Sequence, residues 1–340
     1  MKFGLFQTVQ WPEGSQQQLQ YRNAIEQCVL ADDLGFHSVW MTEHHFTRHA
    51  ITSDNIALLS FIASRTQNIR LGTAVSVLPF HDPVRLAEST GILDHLSNGR
   101  VDVGIGRGYQ WSEYDGFGLH LDEGNDRFEE ALEILLASWK ANSPFSYIGK
   151  YHSYNSAFPQ PKPVQMPYPP IWHATTSSAG LRRCATNDWG VLLAQGTTYA
   201  AIENTITNYR TQINELALPL NLSKIALARG MYCADTTTLA MDTFVRPYTQ
   251  TLEFAARVSA PPDNATDTLH RNPFQIDSQA GIEESIICGD PEMCTESIKK
   301  LAALGVEYII LFVNLGGMDH ELVSRSLRLF AQEVIPRFTS

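Results

Sequence analysis

Apolar runs of strand length alternate with stretches of helical periodicity along the whole 340-residue chain. Lys2 to Thr8 reads as a first strand. Gln17 to Leu34 follows with helical spacing of Leu19, Ala24, Ile25, Cys28, Val29 and Ala31, and Gly35 stops it. His37 to Thr42 is a second strand, and Ser53 is the expected cap of a helix ending near Thr66. Ile69 to Val77 reads as strand three, and Pro83 opens a helix that reaches about Leu96. The turn Ser97-Asn98-Gly99 leads into strand four, Arg100 to Ile105, and Asp122 to Ala141 reads as a long amphipathic helix. Pro170 to Ala174, Val191 to Ala194, Ile225 to Cys233 and Glu307 to Val313 supply strands five to eight, and Glu321 to Val334 is a closing helix.

Eight strands, most of them followed by a helix, predict an α/β protein: a (β/α)8 TIM-type barrel forming one domain over residues 1–340. A doubly wound open sheet is the alternative, and the count of eight favours the barrel. Residues 144–170 are rich in proline, tyrosine and glycine and read as an insertion. Residues 260–285 form a long stretch without periodicity, as expected of a mobile lid loop.

Composition narrows the class of function. Hydrophobic residues make up 44 % of the chain and charged residues 18 %, ordinary for a protein with a large core. The formal net charge of −11 comes with no basic cluster, which argues against nucleic acid or an anionic membrane as partner. The five cysteines are scattered and form no C-x-x-C pair, the pattern of free thiols in a reducing compartment. Neither a signal-peptide pattern nor an apolar run of spanning length is present, so the expected location is the cytoplasm.

Three clusters carry chemistry. Val39-Trp40-Met41 runs straight into Glu43, His44 and His45, an apolar strand ending in acid–base groups. Adjacent histidines on an extended backbone face opposite ways, so only one can enter the barrel mouth. Three readings stay open here: histidines that satisfy buried backbone groups, a metal site completed by His37, His49 or Glu43, or a histidine that donates a hydrogen bond or moves a proton. Gly104-Ile105-Gly106-Arg107-Gly108-Tyr109 is either a tight turn with a surface arginine or an arginine set beside a ligand phosphate. Thr175-Thr176-Ser177-Ser178 opens a helix before Gly180, either as plain capping or as an anion site at a helix N-terminus.

Glu43-His44-His45-Phe46, Gly72-Thr73-Ala74, Leu78-Pro79, His81-x-Pro83-Val84-Arg85 and Gly99-Arg100-x-x-x-Gly104-Ile105-x-Arg107-Gly108 together resemble the bacterial luciferase family of flavin-dependent monooxygenases. The stretch from Gly289-x-Pro291-Glu292 through Leu327-x-Leu329-Phe330 to Val334-Ile335-Pro336 looks like that family too, so the resemblance covers essentially the whole chain. It implies a barrel with insertions and a homodimer. It also implies reduced FMN, supplied by a separate flavin reductase, that reacts with dioxygen through a flavin hydroperoxide to oxidise a small organic substrate. By the same resemblance, His44 handles the proton beside the flavin ring, and the Ala74–Val75 peptide is a non-proline cis bond at the flavin face. Arg107 contacts the phosphate, with Arg127 as a further candidate. Thr175, Thr176, Ser177 and Ser178 form the phosphate-binding segment.

Gly106 stands where the light-emitting α subunits carry a reactive cysteine, and Thr175 stands where they have an acidic residue. Tyr109, Gln110 and Trp111 depart as well, which argues against light emission. Phe6, Trp11, Tyr109 and Trp111 suggest an apolar substrate pocket. A deazaflavin-dependent oxidoreductase on the same barrel, a non-catalytic flavin-binding partner subunit and a metal hydrolase are the alternatives.

Overall fold

The computed structural model describes residues 1–259 and 279–338. Its strands are β1 (Lys2–Gln7), β2 (Ser38–Met41), β3 (Arg70–Thr73), β4 (Ser76–Val77), β5 (Val101–Gly106), β6 (Phe145–Ile148), β7 (Ser153–Ala157), β8 (Ile171–Ala174), β9 (Gly190–Leu193), β10 (Ile225–Cys233), β11 (Ile286–Gly289) and β12 (Tyr308–Phe312). The helices are α1 (Gln17–Asp33), α2 (Asn55–Ala63), α3 (Pro83–Leu96), α4 (Trp111–Gly116), α5 (Gly124–Lys140), α6 (Ser178–Asn187), α7 (Tyr199–Glu215), α8 (Thr237–Ser259), α9 (Gln279–Ser285), α10 (Pro291–Ala303) and α11 (His320–Glu333).

Parallel pairing runs β1-β2-β3-β5-β8-β9-β10-β12 and returns to β1, a closed ring of eight staves. This is the expected (β/α)8 barrel, and the helices cover its outer face because both faces of a parallel sheet must be buried. The expected third strand is broken in two. β3 pairs with β2 and β5, the Ala74–Val75 peptide is cis, and β4 then pairs with Ile105 and Gly106 of β5. One strand escaped the periodicity: β11 is a fully buried run of four that pairs with the upper half of β10, while β9 pairs with the lower half. Such a short apolar run carries no period-2 signal.

Other boundaries moved for local reasons. The cap of α2 is Asp54, whose carboxylate accepts from the Ala57 N–H at 2.9 Å, one residue beyond the predicted Ser53. The predicted insertion 144–170 holds the antiparallel hairpin β6–β7, which stands outside the barrel sheet. The expected lid loop 260–285 lies mostly outside the described residues. Its described end, from Gln279, is the helix α9.

The lower barrel is closed by aromatic rings. Trp40 and Trp172 meet edge to face at 5.4 Å, and Trp172 meets Tyr308 at 5.5 Å. Glycines stand opposite both indoles: a Cβ on Gly72 would lie 2.3 Å from Trp40, and one on Gly190 2.0 Å from Trp172. With the base filled, the cavity of the barrel opens at the carboxyl ends of the strands. Among the described residues, the five cysteines are buried and unpaired, and no helix is long and apolar enough to cross a membrane.

Candidate active site

A cavity of about 620 Å³ opens at the carboxyl ends of the staves, a size typical of small-molecule and cofactor sites. Its wall includes His44 and His49 after β2, Ala74 and Val75 between β3 and β4, and Arg107 and Tyr109 after β5. Thr175 to Ser177 follow β8, and Phe6 and Phe312 stand on β1 and β12.

His44 is fixed through one nitrogen. Its Nδ1 lies 2.9 Å from Glu113 Oε1 and 3.2 Å from Gln110 Nε2, and its ring is wedged between His49 at 5.3 Å and Tyr109 at 6.3 Å. A buried carboxylate only accepts, so Nδ1 carries the proton and donates it to Glu113. Nε2 then presents a lone pair to the cavity. Glu113 also accepts from the His45 backbone N–H at 2.9 Å, so one carboxylate locks both the ring and the strand end that carries it. Glu113 and Gln110 sit in and just before α4, a helix too short to leave a periodic signal, and neither stands out in the sequence as a partner of His44.

His45 turns the other way. Its Nε2 reaches Glu43 Oε1 at 3.2 Å, and the other carboxylate oxygen takes His81 Nε2 at 2.7 Å and accepts from the Val77 N–H at 3.2 Å. Burial alone would raise the Glu43 carboxyl, but His81 and His45 outweigh it and hold it below its ordinary range. Burial alone would lower His81, yet Glu43 outweighs it and raises it. Glu43 therefore ties β2 to β4 as a charged clamp. Among the described residues, no three His, Cys, Asp or Glu side chains are arranged to hold a metal ion.

The opposite end is built from Arg107 and the start of α6. Among the described residues, Arg107 meets only neutral acceptors, the Gly108 carbonyl at 3.2 Å and Asn125 Oδ1 at 3.4 Å, and it has no carboxylate partner there. Ser177 caps α6, its Oγ accepting from the Gly180 N–H at 3.1 Å, and Thr175 Oγ1 lies 3.2 Å from that oxygen. First-turn amides of a helix have no internal acceptor and favour an anion. Thr175, Thr176 and Ser177 line the cavity, whereas Ser178 turns away and accepts from Asn208 Nδ2 at 2.9 Å.

Three further expected residues land elsewhere. Arg127 is outside the cavity wall, held by Glu123 at 2.9 Å and lying 4.1 Å over the Tyr151 ring. Glu123 is the N-cap of α5 and Arg127 stands in its first turn at i, i+4, which explains this pairing. Arg183 of α6 lines the cavity instead, bonded to both oxygens of Glu129 at 2.8 and 2.7 Å. Phe6 and Tyr109 line the cavity as expected. Trp11 lies apart, its indole donating to the Ser15 carbonyl and covered by Arg48 at 3.8 Å, and Trp111 opens α4 away from the wall.

The floor between the two ends is Ala74 and Val75. Gly106 must be glycine there, because a Cβ would meet Val75 Cγ2 at 2.6 Å. A reactive thiol on this residue has no room unless Val75 moves.

A closed barrel whose carboxyl edge joins a phosphate-type end to a tethered histidine defines an α/β-barrel enzyme of cofactor-dependent chemistry. The sequence profile of the luciferase-like monooxygenases matches residues 1–308, and the chain belongs to that family. The oxygenase component of the flavin-dependent trigonelline monooxygenase from Acinetobacter baylyi is 26 % identical, over 100 % of this chain and 96 % of its own. Among solved structures, monooxygenase RslO1 from Streptomyces bottropensis has a TM-score of 0.89 and 25 % identity, with 100 % of both chains covered. The oxygenating constituent of 3,6-diketocamphane monooxygenase from Pseudomonas putida, solved with FMN, has a TM-score of 0.81 and 21 % identity, covering 100 % of this chain and 99 % of that one. An F420-dependent secondary alcohol dehydrogenase shares the fold as well, with a TM-score of 0.77 and 18 % identity, covering 100 % of this chain and 99 % of that one. Fold alone therefore does not choose the cofactor.

Proposed function

We propose that this luciferase-like monooxygenase binds reduced FMN, delivered by a separate flavin reductase, and uses dioxygen to oxidise a small organic substrate. The observation that carries the reading is Arg107, a cavity-wall cation with only neutral partners among the described residues, on the same cavity as the segment that opens α6. A phosphate monoester supplies the missing negative charge, and no metal is needed to hold it. Arg107, Asn125 and the Thr175–Ser177 segment would hold the phosphate. Val75 and the apolar wall of Leu192, Ala228 and Ile310 suit a flat ring.

Bound there, the reduced flavin supplies the electrons that activate dioxygen. The chain supplies the rest. Phe6, Phe312 and the barrel floor would exclude water, Val75 would pack against the flavin, and His44 would hold or return a proton at Nε2 while Glu113 steadies the imidazole through Nδ1. A homodimer accords with the apolar residues left exposed on two neighbouring helices, Phe61 on α2 and Ile92 and Leu96 on α3, at 51 %, 48 % and 60 % exposure.

The test is a single turnover with chemically reduced FMN and a panel of organic compounds under ¹⁸O₂, read by mass spectrometry. Incorporation of one ¹⁸O atom per product is expected with reduced FMN and none with reduced coenzyme F420. Oxidised product without ¹⁸O, or turnover with the deazaflavin alone, contradicts the reading.

A further inference from the structure

His49 is the one histidine of the cavity wall near His44 with no role in the scheme above. Its ring stacks on Phe254 of α8 at 5.8 Å, nearly parallel at 18°, and meets the His44 ring at 5.3 Å. Its residue surface is 7 % exposed. Nδ1 is fully buried and has no hydrogen-bond partner, a state Nε2 does not share, and the residue lines the cavity. The two nitrogens therefore differ in what they can tolerate. A sealed N–H without an acceptor is among the rarest arrangements in folded proteins, and a sealed lone pair is less costly. The proton of a neutral His49 ring thus belongs on Nε2. Burial, with a smaller push from His44, lowers the His49 pKa to about 3, so the ring stays neutral near physiological pH.

His44 and His49 are consequently opposite tautomers side by side. His44 spends its proton on Glu113 and shows the cavity a lone pair, while His49 keeps its lone pair sealed and shows the cavity an N–H. Two buried carboxylates stand at this end: Glu43, held by His81 and His45, and Glu113, held against His44 and the His45 amide. The arginines of the wall stand after β5 and on α6, on the phosphate side.

Building on the flavin reading, we propose that His49 is a specificity-determining residue of the substrate end: a neutral N–H donor that selects uncharged substrates carrying an oxygen acceptor and disfavours anions. A carboxylate would meet one neutral donor and two buried carboxylates there. A hydrocarbon without an acceptor would leave the His49 N–H desolvated and unpaired.

The test compares three probes of similar shape on the full-length protein, with and without FMN: acetophenone, α-methylstyrene (a CH₂ in place of the oxygen) and benzoate, titrated by ligand-observed NMR. Wild type is expected to bind acetophenone about tenfold more tightly than either of the others, the value of one desolvated hydrogen bond. His49→Phe is expected to bind acetophenone and α-methylstyrene equally, and His49→Gln, which keeps an N–H, to restore most of the preference. ¹⁵N correlation spectra should show His49 as the Nε2–H tautomer. The proposal is overturned by no acetophenone binding, equal binding of the neutral probes to wild type, a preference that survives in His49→Phe, tighter binding of benzoate, or an Nδ1–H tautomer. FMN titration in parallel separates the two ideas. Acetophenone selectivity without FMN binding would remove the flavin and leave His49, whereas FMN binding without that selectivity would do the reverse.

Discussion

His44→Ala is expected to lower substrate oxidation by about 10²- to 10⁴-fold, the usual worth of a positioned acid–base group, while FMN binding stays nearly unchanged. The two effects separate because the relevant contacts are at different ends of one cavity. His44 follows β2 and is tethered by Glu113. The phosphate elements follow β5 and β8, two and three staves away around the ring. Folding should survive, since His45 still donates its backbone N–H to Glu113 and the Glu43 clamp is untouched. The variant should keep oxidising reduced FMN in air but release hydrogen peroxide in place of product, so the readout is product formed per dioxygen consumed. Unchanged coupling would remove His44 from the proton role.

Arg107→Ala is expected to weaken FMN by about 10- to 100-fold, the loss of charge-assisted hydrogen bonds to a phosphate, and to leave riboflavin almost unaffected. The contrast between the two flavins is the point, because they differ only in the phosphate. Arg107 makes no ion pair within the described residues, so its removal strands no carboxylate and opens no core cavity. Tyr114 accounts for its backbone, donating its hydroxyl to the Arg107 carbonyl at 2.6 Å, and that contact does not need the guanidinium. Fluorescence titration of both flavins against wild type and variant gives the answer. Equal losses for FMN and riboflavin would place Arg107 at the ring or in the fold instead of at the phosphate.

The sequence made the barrel legible because its staves are continuous apolar runs joined by amphipathic helices, and those periods do not depend on tertiary contacts. The break in strand three was legible only through the family resemblance. Ile286 to Gly289 was invisible, since four buried residues cannot show alternation. At the site, His44 and Arg107 stood out because each follows a strand directly. Glu113 did not, because it reaches His44 only through the return of the chain after β5 across the barrel mouth. Arg127 and Arg183 were exchanged for a related reason. Arg127 has a carboxylate one helical turn away that claims it. Arg183 sits one turn further along α6 than the hydroxyl cluster, and nothing in the local sequence shows that this turn faces the cavity. Ser178 failed for want of a direction: in a run of four hydroxyl residues, the helix phase decides which ones face a ligand, and Ser178 faces Asn208. His49 carried no usable signal as a lone histidine in a loop. Its meaning comes from one sealed nitrogen and one open nitrogen.

One cavity is proposed to hold FMN with its phosphate at α6 and its ring beside His44. A crystal structure of the FMN complex tests it most directly. The phosphate is expected within hydrogen-bond distance of Arg107 and the Thr175–Ser177 segment, with the flavin ring against Val75 and His44 Nε2 facing its edge. A phosphate found beside His44 and His49, or a flavin bound outside the barrel mouth, would contradict it.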